Sequence, residues 1–285
     1  MADERVVVVD DEEAVAQESA RLIVSALSAA MAQRGSAHVA LTGGSSAVPL
    51  FRVMREEPAR SAVDWARVHL WWADDRFVPT DHPDSNAGST YRLLLGVAEH
   101  SGQSGQGGGF SDVASGAIPA LPVDPSHVHP VEVVETLSED EPAQLAAQLY
   151  ERELNRFVPL GHGGVPMFDV LLSGVGPDAH ILSLFPGSPG LQPDAPIVIA
   201  VPAPDHVEPH VARVTLTARV LPAAGLVLIM SSGAGKAEML AQALGEELDV
   251  SRWPAQAARL PNAIWMLDRA AAAGLNLEHQ ASTSQ

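Results

Sequence analysis

A histidine follows an aspartate at a spacing of two residues in the glycine-rich stretch 174–180, where Ala179 separates Asp178 from His180. An imidazole titrates near neutral pH, so His180 has the chemistry of a general base, and a nearby carboxylate supports the imidazolium that forms. Among the 11 histidines of the chain, His180 has the setting that best suits catalysis. The alternative is a structural or exposed histidine, because residues two apart need not touch.

A turn rich in glycine and serine has the composition of a phosphate-binding loop. Gly43, Gly44 and Ser45 lie between an apolar run and a helical pattern. Glycine allows close approach of the backbone, and the first N–H groups of a helix bind anions. An ordinary tight turn is the alternative interpretation, since loops between strands and helices favour these residue types.

Two carboxylates and a guanidinium follow the next apolar run along the chain. Asp74, Asp75 and Arg76 come directly after Trp71-Trp72-Ala73. Carboxylates bind sugar hydroxyl groups, and the planar guanidinium of Arg76 suits a phosphate. A surface ion pair is the alternative.

Two further basic residues are candidate phosphate contacts. Arg213 precedes Val214 and Thr215, and Lys236 follows a glycine- and serine-rich turn at 231–235. A lysine at such a turn is placed to contact phosphate. The turn lacks the glycine spacing of a P-loop, so it does not predict nucleotide binding, and a solvated lysine is the alternative.

The composition argues against several classes of function. The 17 basic and 35 acidic residues give 17 − 35 = −18, a charge that repels nucleic acid and anionic membrane surfaces. The absence of cysteine excludes disulfides, thiolate catalysis and cysteine-based metal sites. No apolar run reaches the roughly 20 residues of a membrane span, and the first residues lack the apolar core of a signal peptide. We therefore expect a cytoplasmic protein. We assign no metal site to five other histidines: His127, His129, His162, His206 and His210.

The hydrophobic pattern alternates between strands and helices along the chain. Short apolar runs predict buried strands at residues 6–9, 38–41, 68–73, 168–175, 197–201, 226–231 and 264–267. Apolar spacing of three and four predicts helices at residues 15–30, 48–55, 145–158, 218–224 and 236–244. This alternation predicts an α/β fold, a single doubly wound, mostly parallel sheet flanked by helices, whose ligands bind at the carboxyl ends of the strands.

Two segments depart from this alternation. Residues 100–130 are rich in Ser, Gly, Gln and Pro and are interpreted as a flexible surface insertion, with a functional lid as the alternative. Ser138 and Glu141 have the spacing of a capping box ahead of the helix at 145–158. We expect residues 1–275 to form one domain and residues 276–285 to form a disordered tail.

Taken in order, these segments resemble the 6-phosphogluconolactonase family, part of a wider group that includes the glucosamine-6-phosphate deaminases. The matches to the family's motifs span about residues 40 to 240 and lie at 42–45, 74–79, 85–86, 174–187, 213–215 and 233–237. The most specific match is Gly-x-Gly-x-Asp-Gly-His-x-x-Ser-Leu-Phe-Pro-Gly at 174–187. The resemblance implies a fold of the NagB/RpiA type.

Two residues differ from the family pattern. Asp75 stands where the family usually has Glu, and Ala179 where it usually has Gly. We expect both changes to be compatible with activity, because Asp keeps the charge and Ala can adopt negative φ.

The resemblance implies hydrolysis of 6-phospho-D-glucono-1,5-lactone to 6-phosphogluconate, the second step of the oxidative pentose phosphate pathway. It implies His180 as the general base, supported by Asp178, and no cofactor. Phosphate and sugar contacts are assigned by the same matches to Gly43, Gly44, Ser45, Asp75, Arg76, Arg213 and Lys236. The expected partner is a small sugar-phosphate lactone, with neither nucleic acid nor membrane, and a monomer is expected with an oligomer left open.

Two other functions compete with this one. A deaminase or isomerase of the wider group resembles the same scaffold but has a tyrosine in place of Arg76 and an acidic residue in place of Phe185, which cannot carry a proton. A non-catalytic sugar-phosphate sensor is the second alternative, although the sequence offers no basic helix-turn-helix as an output module.

Overall fold

A computed structural model describes residues 5–97, 119–133 and 142–276 of the 285-residue chain. In chain order the described strands are β1 Arg5–Val9, β2 Ala37–Leu41, β3 Val68–Trp72, β4 Asp74–Arg76, β5 Val128–His129, β6 Val170–Ser173, β7 Val198–Val201, β8 Arg213–Leu216, β9 Leu226–Ser231 and β10 Ala263–Asp268. The described α-helices are α1 Glu12–Arg34, α2 Ala47–Arg55, α3 Asn86–Leu93, α4 Pro142–Phe157 and α5 Ala237–Ala243.

Eight short 3₁₀ helices complete the regular structure of the described residues. They lie at Trp65–Arg67, Pro125–His127, His162–Gly164, Pro189–Leu191, Ala218–Ala223, Ala234–Lys236, Pro254–Ala258 and Ala271–Gly274.

The main sheet has seven strands in the order β1-β10-β9-β6-β2-β3-β5, and every adjacent pair is parallel. Parallel strands require crossover connections, and the helices that supply them cover both faces of the sheet. The predicted α/β class with a doubly wound, mostly parallel sheet is confirmed.

Two buried clusters show how the helices are divided between the faces. On one face α1 and α2 pack against the sheet through side chains such as Leu27, Phe51 and Leu70. On the other face α4, α5 and the small sheet described next pack through Leu154 and Trp265, among others. Strand β3 contributes to both clusters because successive side chains point to opposite faces.

A second sheet of three antiparallel strands, in the order β4-β8-β7, lies on the α4 face. Strand β4 begins two residues after β3 ends, and the N–H of Leu216 in β8 donates to the carbonyl of Ala73 between them at 2.8 Å. The strand predicted at 197–201 lies here as β7. Strands β4, β5 and β8 and helix α3 were not predicted, because each is short and contains polar or charged residues.

Several boundaries differ from the sequence-based predictions. The run at 6–9, predicted to be buried on both faces, lies in the edge strand β1 and is partly exposed. The helix predicted at 218–224 is the 3₁₀ helix Ala218–Ala223, which contains Pro222. Proline lacks the N–H that an α-helical turn needs.

The predicted insertion at 100–130 lies largely outside the described residues, as do the capping box at Ser138 and Glu141 and nearly all of the tail at 276–285. In the part that is described, residues 119–130 include β5 at the edge of the main sheet. None of the helices in the described ranges combines the length and apolar character that a membrane crossing requires.

Four histidines form a stacked cluster on the α4 face of β2, β3 and β5. His69 lies 4.6 Å from His38 and 3.9 Å from His127 between ring centroids, and its Nδ1 is 3.0 Å from Nε2 of His129. His129 in turn contacts the carboxylate of Glu153 in α4 at 2.8 Å. No group of three or more histidines or carboxylates within the described ranges is arranged to hold a metal ion.

Candidate active site

His180 lies in a tight turn that follows β6. The N–H of Gly176 donates to the carbonyl of His180 at 2.9 Å, and the N–H of Ala179 donates to the carbonyl of Gly176 at 3.1 Å. These bonds fold the turn back, so the His180 ring lies against Gly176: a Cβ added at Gly176 would stand 2.0 Å from the ring atoms. Glycine at 176 therefore creates the space that the imidazole occupies.

Asp178 orients this imidazole. Nδ1 of His180 lies 2.5 Å from Oδ1 of Asp178, which also accepts the backbone N–H of His180 at 3.2 Å. Both side chains are less than one-fifth exposed. Because Nδ1 faces the carboxylate, Nε2 is the nitrogen that can accept a proton from water.

The carboxylate of Asp178 is held in its ionised form. Burial favours the neutral acid and raises its pKa, but hydrogen bonds from the His180 and His206 rings outweigh burial and hold the pKa of Asp178 below its ordinary value. His206 contacts the second oxygen, with Nε2 at 3.0 Å from Oδ2. An ionised Asp178 stabilises a protonated His180, as a general base requires.

The ring of Phe185 joins this pair to the basic residues. Its centroid lies 4.8 Å from the His180 ring, and the guanidinium carbon of Arg213 lies 5.7 Å from it. Phe185 is 8% exposed. The side chain next to His180 at this position is therefore apolar and cannot carry a proton.

Arg76 and Arg213 are register partners in the pair β4 and β8. Their side chains donate to backbone carbonyls, Arg76 to Asp84 at 2.8 Å and Arg213 to Pro209 at 3.0 Å. The Nε atoms of both arginines are buried without a hydrogen-bond partner. Burial, with repulsion from Arg76, lowers the pKa of Arg213. Two neighbouring cations with unused donors form a site that favours an anion.

Lys236 contacts the start of the turn that holds His180. Its ammonium donates to the carbonyl of Val175 at 2.8 Å. Lys236 follows β9 in the chain, so this hydrogen bond connects the segment after β9 to the loop after β6. Burial lowers the pKa of Lys236, and the charge of Asp178 opposes that effect. The ammonium group is therefore a third positive charge beside His180.

The predicted phosphate turn connects β2 to α2. Gly44 has φ of 81°, and Gly43 packs so closely on Asn86 that an added Cβ would stand 1.9 Å from its side-chain oxygen. Ser46 occupies the N-cap position of α2 without a side-chain cap bond. The space at Gly43 is therefore taken by Asn86, whereas nothing lies within 4 Å of a Cβ added at Gly44, which leaves the turn open just before the first N–H groups of α2.

Asp74 links three of these loops. It accepts the hydroxyl of Ser183 at 2.6 Å and lies 3.5 Å from the hydroxyl of Thr42. The N–H of Ser183 donates in turn to the hydroxyl of Thr215 in β8 at 3.1 Å. These bonds fix the loops after β2, β3 and β6 relative to the small sheet.

Asp75 points away from these groups, towards the N-terminus of α3. Its carboxylate accepts the N–H groups of Arg76 and Asn86 at 2.7 Å and of Ala87 at 3.0 Å. Burial, aided by the charge of Asp74, raises the pKa of Asp75 to about 7 against the opposing effect of these three donors. The carboxylate is 3% exposed and is engaged by the protein itself.

Ala179 contradicts the expectation of negative φ. Its φ is 62°, in the left-handed region, and the side chain is fully buried. The family's usual glycine adopts this conformation without steric cost, whereas alanine is strained there. The turn nevertheless places His180 beside Asp178, so the chain accommodates alanine at this position.

Gly43 to Ser45, Asp74 to Arg76, Asp178 to His180 and Lys236 follow β2, β3, β6 and β9, which are adjacent in the order β9-β6-β2-β3, so they lie at the carboxyl ends of neighbouring strands. Arg213 lies instead in β8 of the small sheet, paired with Arg76, and the Asp75 carboxylate is engaged by the N-terminus of α3. Sequence reasoning missed Ser183 and His206. Ser183 lies inside the motif at 174–187 and could have been found there, but His206 belongs to a loop whose position no local pattern indicates.

Comparisons with known proteins agree with this architecture. The chain is 34% identical over 276 residues to a 6-phosphogluconolactonase of Streptomyces coelicolor, covering 95% of this chain and 94% of that protein. It is 34% identical over 266 residues to a 6-phosphogluconolactonase of Mycobacterium tuberculosis, covering 93% and 96%. The solved 6-phosphogluconolactonase from Trypanosoma brucei shares the fold, with a TM-score of 0.78, 24% identity and coverage of 95% and 98%.

A family model gives the same assignment independently of any single relative. Residues 10–265 match the family described as glucosamine-6-phosphate isomerases/6-phosphogluconolactonase, a range that contains every segment of the site. This chain belongs to that family.

Proposed function

We propose that the protein is a hydrolase that opens 6-phospho-D-glucono-1,5-lactone to 6-phosphogluconate. The observation that carries this proposal is the pair of His180 and Asp178, 2.5 Å apart, beside an apolar Phe185. The pair supplies one general base, and Phe185 offers no second group that could carry a proton. Lactone hydrolysis requires only an activated water and a stabilised oxyanion, whereas ring opening and isomerisation of an amino sugar require proton transfer at several atoms.

In the proposed reaction His180 takes a proton from water as the water oxygen attacks the lactone carbonyl at C1. The tetrahedral intermediate then collapses with cleavage of the bond between C1 and the ring oxygen. That oxygen takes up the proton from His180, and the carboxyl group of the product ionises. Asp178 keeps the imidazole oriented and stabilises its protonated form during the step.

The cations at the sheet edge supply binding energy for the phosphate in this proposal. Arg213, Lys236 and the turn at Gly43, Gly44 and Ser45 hold the phosphate, and Arg76 contacts the phosphate or the developing carboxylate. Support comes from the buried, unpaired Nε atoms of both arginines. Asp75 acts indirectly, since its hydrogen bonds place Arg76 and α3 relative to each other. No cofactor takes part in this proposal.

The test is an assay with freshly generated 6-phosphogluconolactone, corrected for spontaneous opening, alongside an assay of ammonia release from glucosamine 6-phosphate. We expect acceleration of lactone opening with formation of 6-phosphogluconate, and no ammonia. Ammonia release would favour a deaminase. Binding of 6-phosphogluconate without any acceleration would favour a sensor, and either result would contradict the proposal.

A further inference from the structure

One carboxylate at the site serves two imidazole rings. Oδ1 of Asp178 faces Nδ1 of His180 at 2.5 Å, and Oδ2 faces Nε2 of His206 at 3.0 Å. His206 is separated from Asp178 by 28 residues and lies in the loop 202–212 between β7 and β8. The second imidazole therefore comes from a different part of the fold and contacts the oxygen that His180 leaves free.

The surroundings of His206 favour its protonated form. Hydrogen bonds to Asp178 first, and then to Asp205, whose Oδ1 lies 3.2 Å from Nδ1, raise the pKa of His206. The Phe185 ring lies edge-on to His206 at 5.6 Å and also contacts His180 and Arg213, and the charge of Lys236 interacts with that of Asp178. An imidazole between two carboxylates can donate from both nitrogens only when it is charged.

We propose that His206 is a positioning residue, which holds the Asp178 carboxylate from the side opposite His180 and balances part of its negative charge. The inference rests on the proposed hydrolysis. His206 does not need to touch the substrate, because it acts through Asp178.

Two separable effects follow from this arrangement. The hydrogen bond prevents the Asp178 carboxylate from rotating away, which keeps the His180 ring aligned and supports kcat. The positive charge on His206 offsets part of the Asp178 charge, so Asp178 attracts a proton on His180 less strongly than it would alone. Removing His206 should therefore lower kcat and move the acidic limb of the pH profile upward.

The experiment measures kcat and kcat/KM for lactone opening between about pH 5 and 8, the range in which histidines titrate. Four proteins are compared: the wild type, His206→Ala, His206→Gln and His210→Ala. Glutamine retains a donor near the Nε2 position but carries no charge. His210 is the matched control, because it lies on the same loop and contacts the carbonyl of Pro204 at 2.7 Å rather than Asp178.

We expect His206→Ala to lower the plateau kcat about two- to fivefold and to raise the acidic midpoint by about half a pH unit, the size of effect typical of a partly exposed charge pair. His206→Gln should recover most of the kcat but keep the shifted midpoint. His210→Ala should leave both unchanged.

Three results of these kinetic measurements would overturn the inference. One is a pH profile of His206→Ala that superimposes on that of the wild type. Another is the same change in His210→Ala, which would attribute the effect to the loop as a whole. The third is an equal loss of kcat in His206→Ala and His206→Gln without a shifted midpoint, which would indicate a purely structural role.

A second readout separates this inference from the proposed function. The His180 imidazole is titrated by NMR in the wild type and in His206→Ala without substrate, and we expect its titration midpoint to rise in the variant. If the wild type does not open the lactone, the proposed function fails while the titration still decides the role of His206. An unchanged midpoint overturns the inference.

Discussion

At the scale of single residues, the position of the His180 ring depends on a missing side chain. A Cβ at Gly176 would stand 2.0 Å from ring atoms of His180, and the ring rather than the backbone would have to move. Displacement of a catalytic group by about 1 Å can cost about 10²-fold in rate. We therefore predict that Gly176→Ala lowers kcat about 100-fold while the thermal unfolding temperature changes little.

Gly174→Ala is the matched control for this prediction. A Cβ at Gly174 would meet only the carbonyl oxygen of Met230, at 3.9 Å, which is an ordinary contact. This variant should retain wild-type kcat. Equal activity of the two variants would show that the ring position seen against Gly176 is not needed for the reaction.

Ala179 tests the energetic cost of the same turn. Replacing Ala179 with glycine would remove about 1–2 kcal/mol of strain from the left-handed backbone conformation. It would also remove a buried methyl group that contributes about 0.8 kcal/mol. We predict that Ala179→Gly leaves the free energy of unfolding unchanged or raises it by up to about 1 kcal/mol. Ala147→Gly, at a buried position in α4, should lower it by about 2 kcal/mol through the lost methyl group and the lower helix propensity.

Chemical denaturation of both variants measures this difference. If Ala179→Gly were as destabilising as Ala147→Gly, positive φ would not be a source of strain in the turn. The sequence could not reveal this strain, because φ at position 179 is set by how the turn returns from β6 to contact Ala255, whose N–H donates to the Ala179 carbonyl at 2.8 Å.

At the scale of elements, the stacked histidines on β2, β3 and β5 make the stability of the fold depend on pH. Burial first, and then the neighbouring histidines, lower the pKa of His38 to about 3 and that of His69 to about 4. Their pKa values in the unfolded chain are near 6.5, so the unfolded chain binds these protons first as pH falls. The contribution of the neutral rings to the free energy of unfolding is fully present above about pH 6.5 and is lost as the pH falls towards 4.

We predict that the free energy of unfolding falls by about 2 to 4 kcal/mol over this window, allowing for solvent screening of the partly exposed His69. Denaturation at a series of pH values measures the slope. His69→Gln should make the slope shallower, because glutamine does not titrate, whereas His162→Gln on an exposed 3₁₀ helix should not. Equal slopes for all three proteins would contradict the prediction.

The elements also show how far sequence patterns reach. The strands β9 and β10 are nearly continuous apolar runs and α1 has helical periodicity, and all three were predicted within about four residues of their observed bounds. The small sheet was missed except for β7, since β4 is three residues of charged sequence and β8 begins with a buried arginine. Those strands are stabilised by the core beneath them and by pairing with each other. Neither of these effects can be seen in the local sequence pattern.

At the scale of the whole molecule, the site brings together three cations, Arg76, Arg213 and Lys236, on a chain with a net charge of −18. Its cations come from residues far apart in sequence, with Arg76 and Arg213 paired only through β4 and β8. The sequence predicted that most of the site residues directly follow strands, whose carboxyl ends carry the ligand sites of a doubly wound sheet, but it did not predict the order of those strands. It did not predict that Asp75 would serve α3 or that His206 would reach Asp178, since both depend on how loops pack in three dimensions.

The measurement that tests the central claim most directly compares the wild type with His180→Ala and with His162→Ala as an exposed control. Lactone opening and binding of 6-phosphogluconate are measured for each protein. We predict that His180→Ala loses about 10²- to 10⁴-fold in kcat, the usual contribution of a general base, while its Kd for 6-phosphogluconate changes little and His162→Ala resembles the wild type. Wild-type turnover by His180→Ala would contradict the assignment of His180 as the base.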